Sequence, residues 1–425
     1  MNYEDFFQKS KEKKFDSIQV TEKHIIDSSV EIINGELESF DDYDNVDYHI
    51  KAESQGKTVK AVTNYLGEEV LNSLMVQLEF NDSKYEDEYL EVTENLPVPE
   101  VISFDISEEI KQLKNLESIR KDYPQVVKMT SYFDENYTNT RIVNSDGVDI
   151  STDSHLCRFS VEVVIQNGEK FTSFDRQILM TNKKEIPIRK LVEEVIKMGI
   201  LGSNQKKLET KKYDIVLDSS VMGNILRHLV SMASAFSIRK KISCFENQLN
   251  QKIFSDKITI LEDPINPHYP GYRLFDDEGV RTFPKTVVEE GFLKTYFYNI
   301  KEAKIQNISS TGNGYEGIDT RNMILVPGEK DLEELLHSMG DGIYIVDYMG
   351  ASGTSINPLN GDISLQVFGF LVENGKIVSG IEPSIMTTTI FELFSHVEEI
   401  GKDLNFTRES VASPSLYVRD ISIAG

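Results

Sequence analysis

The stretch Ile215–Phe236, IVLDSSVMGNILRHLVSMASAF, constrains the fold most, because it reads as a strand that launches a helix. Ile215-Val216-Leu217 is a short apolar strand. Asp218-Ser219-Ser220 suits a helix N-cap, since a short oxygen-bearing side chain can accept from the first unpaired N–H groups. Val221, Ile225, His228, Leu229 and Met232 then recur on one helical face. Two rigid elements joined at a cap hold side chains firmly, so this helix is a good mount for chemistry. It carries one histidine and one arginine, with no carboxylate beside them.

At 425 residues the chain exceeds one ordinary core, so two or three domains are expected. Alternating apolar positions predict strands at Ser17–Thr21 and Ser29–Ile33, the second turning at Asn34-Gly35 into a hairpin. Another hairpin is expected at Gln55-Gly56, and a helix on Val70, Leu71, Leu74 and Leu78. Asn95-Leu96-Pro97-Val98-Pro99 reads as a linker, followed by a helix with Ser107 as N-cap. Strands are expected at Val126–Phe133, Asn139–Val143 and Phe159–Gln166, then a helix over Ile188–Met198. Glycine turns and short strands dominate the rest, interrupted by helices at Leu332–Met339 and Ile390–Ile400. The class is α+β, with mixed or antiparallel sheets, packed helices and a C-terminal half of mostly antiparallel strands. The polar connector Gly199–Lys212 marks the main boundary. It separates an N-terminal domain, 1–205 (a hairpin-helix segment, 1–95, and a central segment, 100–205), from a β-rich domain, 206–425.

A formal charge of −25 disfavours direct binding to nucleic acid, whose phosphates such a surface repels. Cys157 and Cys244 match no C-x-x-C spacing and read as buried thiols in a reducing compartment. The first residues lack the apolar core of a signal peptide, and no apolar run is long enough to span a bilayer. No membrane association and a cytoplasmic location are therefore expected.

Gly312-Asn313-Gly314-Tyr315-Glu316-Gly317 fits G-x-G-x-x-G literally, but a strand pattern follows it where a dinucleotide loop needs a helix. A loop that comes close to something extended, such as a peptide, fits better. The seven histidines show no H-x-H or H-E-x-x-H framework. Gly350–Thr354 has its glycines in the wrong register for a nucleophile elbow. Asp276-Asp277-Glu278 could hold a hard cation, although an exposed turn is the simpler expectation.

Taken in order, several segments resemble the TldD/PmbA family. They include Ser29–Ser39, Val143–Gly147, Phe275–Thr282, Glu290–Leu293 and Ser310–Gly312. Met339–Tyr344, Gly361–Ser364, Gly369–Gly375 and Ile421–Gly425 complete the series. The resemblance implies two branches that pair as a heterodimer. One branch carries H-E-x-x-x-H on the organising helix, with a late cysteine completing a metal site. In this chain Arg227, His228 and Met232 stand at those helix positions, and Ser410-Val411-Ala412-Ser413 replaces the cysteine region. Arginine stays protonated and a lone thioether is a poor zinc ligand, so the chain resembles the PmbA (TldE) branch without the motif.

The resemblance implies a cytosolic metallopeptidase complex that degrades or processes unfolded peptides, such as antibiotic precursors or unstructured antitoxins. It also accounts for the label modulator of DNA gyrase as an indirect effect. No catalytic residue, metal or cofactor is then expected in this chain, and zinc or a similar divalent ion belongs to a TldD-like partner. Arg227 and His228, with Thr311, Gly312, Asn313 and Gly314, are the candidates for touching peptide. Arg227 could hold a peptide carboxylate or make a structural ion pair. Two alternatives stay open: a stand-alone homodimeric peptide-binding protein, or a chain that cuts peptides alone through a metal site built from distant residues.

Overall fold

The computed structural model describes residues 1–80, 106–181, 183–349, 356–408 and 410–425. The linker Asn95–Pro99 and the turn Gly350–Thr354 lie outside the described residues.

The first sheet is built from long antiparallel strands: β1 (Ser17–Ile33), β2 (Glu36–Ser54), β3 (Lys57–Thr63), β4 (Val126–Asn144), β5 (Asp149–Asn167) and β6 (Lys170–Met180). Their order is β3-β2-β1-β4-β5-β6. Asn34 and Gly35, both at positive φ, make the tight turn between β1 and β2. The two short strands expected within Ser17–Ile33 are one strand, and those within Val126–Val143 are also one. The polar residues between them, such as Lys23, Asp27 and Ser28, do not break pairing, because β1 has a ladder on both sides. This β1–β4 pairing joins strands of the expected hairpin-helix segment and of the central segment in one sheet.

Helices α1 (Tyr3–Glu12) and α2 (Glu68–Phe80) cover one end of the sheet, burying Phe6, Leu71 and Leu74 against Ile18, Val20 and Ile50. Helices α3 (Ser107–Asn115), α4 (Glu117–Lys121) and α5 (Ile188–Gly202) cover the other end. Leu113, Ile119, Val192 and Ile196 pack there on Phe133, Phe159 and Val163. Ser107 is the first helical residue of α3 and not its cap, which is Ile106 without a side-chain bond.

After β7 (Gln205–Lys206), β8 (Lys211–Leu217) leads into α6 (Ser219–Met232) and α7 (Ala235–Lys240). The remaining elements are β9 (Ile260–Glu262), β10 (Lys285–Glu289), β11 (Phe292–Leu293), α8 (Ile300–Gln306), β12 (Met323–Leu325) and α9 (Leu332–Met339). They continue through β13 (Gly342–Met349), β14 (Asp362–Glu373), β15 (Lys376–Ile381), β16 (Ser384–Thr389) and α10 (Ile390–Ser395). The chain ends with β17 (Val397–Ile400), β18 (Asn405–Arg408), β19 (Val411–Ser413) and β20 (Leu416–Ala424).

The second sheet runs β11-β10-β9-β12-β19-β18. In the third, β8, β13, β14, β16 and β20 pair in a closed ring, with β7, β15 and β17 attached. The helix expected over Ile390–Ile400 stops at Ser395. Val397 and Ile400 instead pair with Val418 and Leu416 of β20, where backbone pairing overrides helical spacing.

The large C-terminal core closes around α6, whose Val221, Met222, Ile225, Leu229 and Met232 are buried between the two sheets. Among the described residues no helix is long and apolar enough to cross a membrane.

At the β10–β11 turn, Gly291 sits at φ +81, and a Cβ there would lie 2.2 Å from the Phe254 carbonyl oxygen. Gly291→Ala is expected to cost more than about 1 kcal/mol, read as a lowered denaturation midpoint, because conformation and space are both unfavourable.

Candidate functional site

The organising helix starts at Asp218, whose Oδ1 accepts from the N–H of Ser220 as a cap should. Its Oδ2 accepts from the Arg176 guanidinium at 3.0 Å and from the Tyr344 hydroxyl. This links the cap to β6 of the first sheet and β13 of the third. Arg176 is held above its usual range: burial opposes its charge most strongly, but Asp218 together with Tyr344, Glu194 and Asp175 outweighs that cost.

Along this junction lies a cleft of about 1210 Å³. Thr172, Ser173, Phe174, Asp175, Arg176 and Gln177, consecutive residues of β6, form one wall. Among the described residues that strand is an edge of the first sheet, paired with β5 alone. Ser220, Asn224 and Arg227 of α6 stand opposite, with Asn405, Thr407 and Arg408 of β18, itself an edge strand. Among the described residues the cleft thus runs between two sheet edges and the helix, with the Gln177 side chain of β6 donating to the Thr407 carbonyl of β18.

Its electrostatics are mixed and mostly paired. Arg227 donates to Asp319 at 2.9 Å, with both side chains half-buried. Arg158 donates to Asp134, and Arg321 lies over the Tyr315 ring at 4.2 Å. Arg408 is exposed and makes no ion pair among the described residues. Burial, and to a lesser degree Asp175, raises the Asp347 carboxyl above the usual range.

The structure separates the sequence candidates. Arg227 lines the cleft, whereas His228 does not, although it is next in sequence and half-buried. Burial, with Arg227 adding, lowers the His228 pKa, so its ring is neutral at pH 7. The loop Thr311–Gly314 does not line the cleft. Thr311 donates to Tyr298, Gly312 is buried, and Asn313 donates to both oxygens of Glu262. Gly314 gives its N–H to Asp276 at 2.8 Å. Asp319, farther along the same segment, reaches forward to Arg227. The expected exposed turn at Asp276 is also corrected: its side chain is buried and accepts main-chain N–H groups from Glu278 and Val280.

Two positions marked by the family resemblance line the same cleft. Arg227 of α6 and Ser410, at the start of the late segment, both line the cleft. A metal does not fit there through this chain's own groups. Arg227 is a permanent cation paired with Asp319, and Met232 is fully buried in the core. Among the described residues, the cluster of three metal-ligating groups lies elsewhere, at Glu135, His155 and Cys157. Sequence reasoning missed the β6 wall, although the Asn167-Gly168 turn demanded a returning strand and Phe171-Thr172-Ser173-Phe174-Asp175-Arg176 follows it.

An α+β chain of three sheets, with its cleft between sheet edges and the capped helix, is the architecture to be placed. The PmbA/TldA metallopeptidase central domain matches residues 99–198, and the C-terminal domain of the same family matches residues 210–425. The chain belongs to this PmbA/TldD family. A Metalloprotease PmbA homolog from Buchnera aphidicola subsp. Acyrthosiphon pisum is 26% identical over 68% of this chain and 67% of its own length. A Metalloprotease TldD homolog from Buchnera aphidicola subsp. Schizaphis graminum is also 26% identical, over 77% and 74%. The crystal structure of TldE from Thermococcus kodakarensis shares the fold at a TM-score of 0.85 and 18% identity, covering 99% of each chain.

Proposed function

We propose that this chain is the TldE-like subunit of a cytosolic two-chain peptidase. It holds an unfolded peptide while a TldD-like partner supplies the metal and cuts. The single observation that carries this is the cleft itself. Its wall is a strand edge unpaired on that side among the described residues, and the helix facing it carries Arg227 at a position where the family resemblance implies a metal ligand. An unpaired edge can bind an extended peptide through main-chain hydrogen bonds, which are indifferent to sequence. Arg227, held by Asp319, is placed to take a substrate carboxylate, and Arg408 offers a second cation. The acidic surface supports a peptide substrate over a nucleic acid.

The test is reconstitution. Each subunit alone should leave casein or a designed unfolded peptide intact, and the mixture should cut it in a chelator-sensitive way. Turnover by this chain alone, or a partner indifferent to its addition, overturns the proposal. Peptide binding by the lone chain, with no cleavage in any mixture, points to the stand-alone peptide-binding alternative.

In the active pair, Arg227→Ala is expected to raise KM by about tenfold with little change in kcat, the loss of a charge-assisted contact. Its stability should change by less than about 1 kcal/mol, since the Arg227–Asp319 pair is partly solvated. Steady-state kinetics and urea unfolding of one preparation separate the two effects.

A further inference from the structure

We infer that Glu135, His155 and Cys157 form a binding site for a divalent transition metal of the zinc class, on the face of the first sheet turned away from the cleft. This is independent of the peptide reading. The strand register creates the cluster. Glu135 of β4 lies directly opposite Cys157 of β5, and His155 is two residues before Cys157, so the three side chains share one face. Their neighbours along the two strands, Asp134, Asn136, Leu156 and Arg158, line the cleft on the opposite face.

The ligand atoms already converge. His155 Nε2 is 3.0 Å from Glu135 Oε1 and 4.0 Å from Cys157 Sγ, and all three atoms lie within 4.8 Å of one another. Tetrahedral zinc, with bonds of about 2.0–2.3 Å, places its ligands about 3.3–3.6 Å apart. Shifts of well under 1 Å about one centre would therefore close the site. Glu135 and Cys157 are buried, and His155 is half-exposed, which leaves an approach from solvent.

The surroundings suit a cation. Lys183 donates to Oε2 of Glu135 at 2.9 Å, so Oε1 remains directed at the histidine and the thiol, as an outer partner of a ligating carboxylate would leave it. Lys183 also pairs with Glu109 at 3.5 Å. The second oxygen of Glu109 is buried with no hydrogen-bond partner among the described residues. Two carboxylates and one ammonium leave a formal charge of −1 beside a neutral thiol. A divalent ion that displaces the thiol proton brings the cluster to zero, and the proton passes to solvent.

The experiment is a Co²⁺ titration of the full chain after chelator treatment, followed by absorbance, with equilibrium dialysis of Zn²⁺ in parallel. Expected are one bound ion per chain and a near-ultraviolet sulfur-to-cobalt charge-transfer band. The chain has two cysteines, so the sulfur can be assigned. Cys157→Ser should abolish the band, and Cys244→Ser should keep it. His155→Gln, a half-exposed change that the fold should tolerate, should weaken binding by more than the ~10–100-fold that loss of an outer-shell partner costs. A titration without the band, a band that survives in Cys157→Ser, or unchanged affinity in His155→Gln overturns the site.

Discussion

Lys285→Ala is expected to remove about 3–5 kcal/mol of stability, read as a lowered urea midpoint at an unchanged slope. Lys285 of β10 donates to Glu262 of β9 at 2.6 Å, and the two side chains are 5% and 0% exposed. Glu262 also accepts from the Arg321 N–H and from Asn313, so it organises the loop that carries Asn313. Without the lysine, a buried carboxylate loses its counter-charge and must take up a proton or open the core. Burial already raises the Glu262 pKa, with Lys285 opposing that rise, so the variant lets it rise further. A carboxyl whose folded pKa lies above its unfolded value contributes stability at low pH, which fades as pH climbs through the folded value. The deficit of Lys285→Ala should therefore be larger at pH about 8 than at pH about 5. The pair Glu262→Gln/Lys285→Met should recover at least about 2 kcal/mol, because an uncharged pair carries no such desolvation cost. A single variant as stable as the parent at both pH values would refute the claim that this ion pair matters.

Asp218→Ala should cost a comparable amount for a different reason. Its removal takes away the cap of α6, worth about 1 kcal/mol, and strips the counter-charge from the nearly buried Arg176, a loss in the range of about 3–5 kcal/mol. The Tyr344 hydroxyl loses its acceptor as well. Asp218→Asn keeps an acceptor for the Ser220 N–H and should lose clearly less. Thermal unfolding of the three proteins ranks the effects, and equal midpoints for the alanine and asparagine variants would remove the charge from the account. Because Arg176 stands in the cleft wall, Asp218→Ala should also weaken peptide binding in whatever fraction stays folded.

Much of the local structure was legible. Asn34-Gly35 made its hairpin, Asp218 capped α6, and Leu332–Met339 formed a helix with the expected bounds, because each rests on neighbours within a few residues. The misses share a cause. β1 stays paired through its polar middle because β4, more than a hundred residues on, lies beside it. Val397–Ile400 leaves the helix because β20 offers a partner. Asp276 is buried because Gly314 brings it an N–H from a distant loop. His155 and Cys157 fall before the expected strand Phe159–Gln166, and Glu135 joins them only through strand register.

The amino-acid order by itself determined the α+β class, the capped helix and the poor fit of Arg227 and Met232 as zinc ligands, since these depend on residue identity and short-range spacing. The three-dimensional arrangement alone decided that Arg227 and Ser410 share a cleft with the β6 edge, and that Gly312, Asn313 and Gly314 are buried and do not line it. Cross-strand register and long-range burial set those neighbours, and neither has a counterpart in local spacing along the chain.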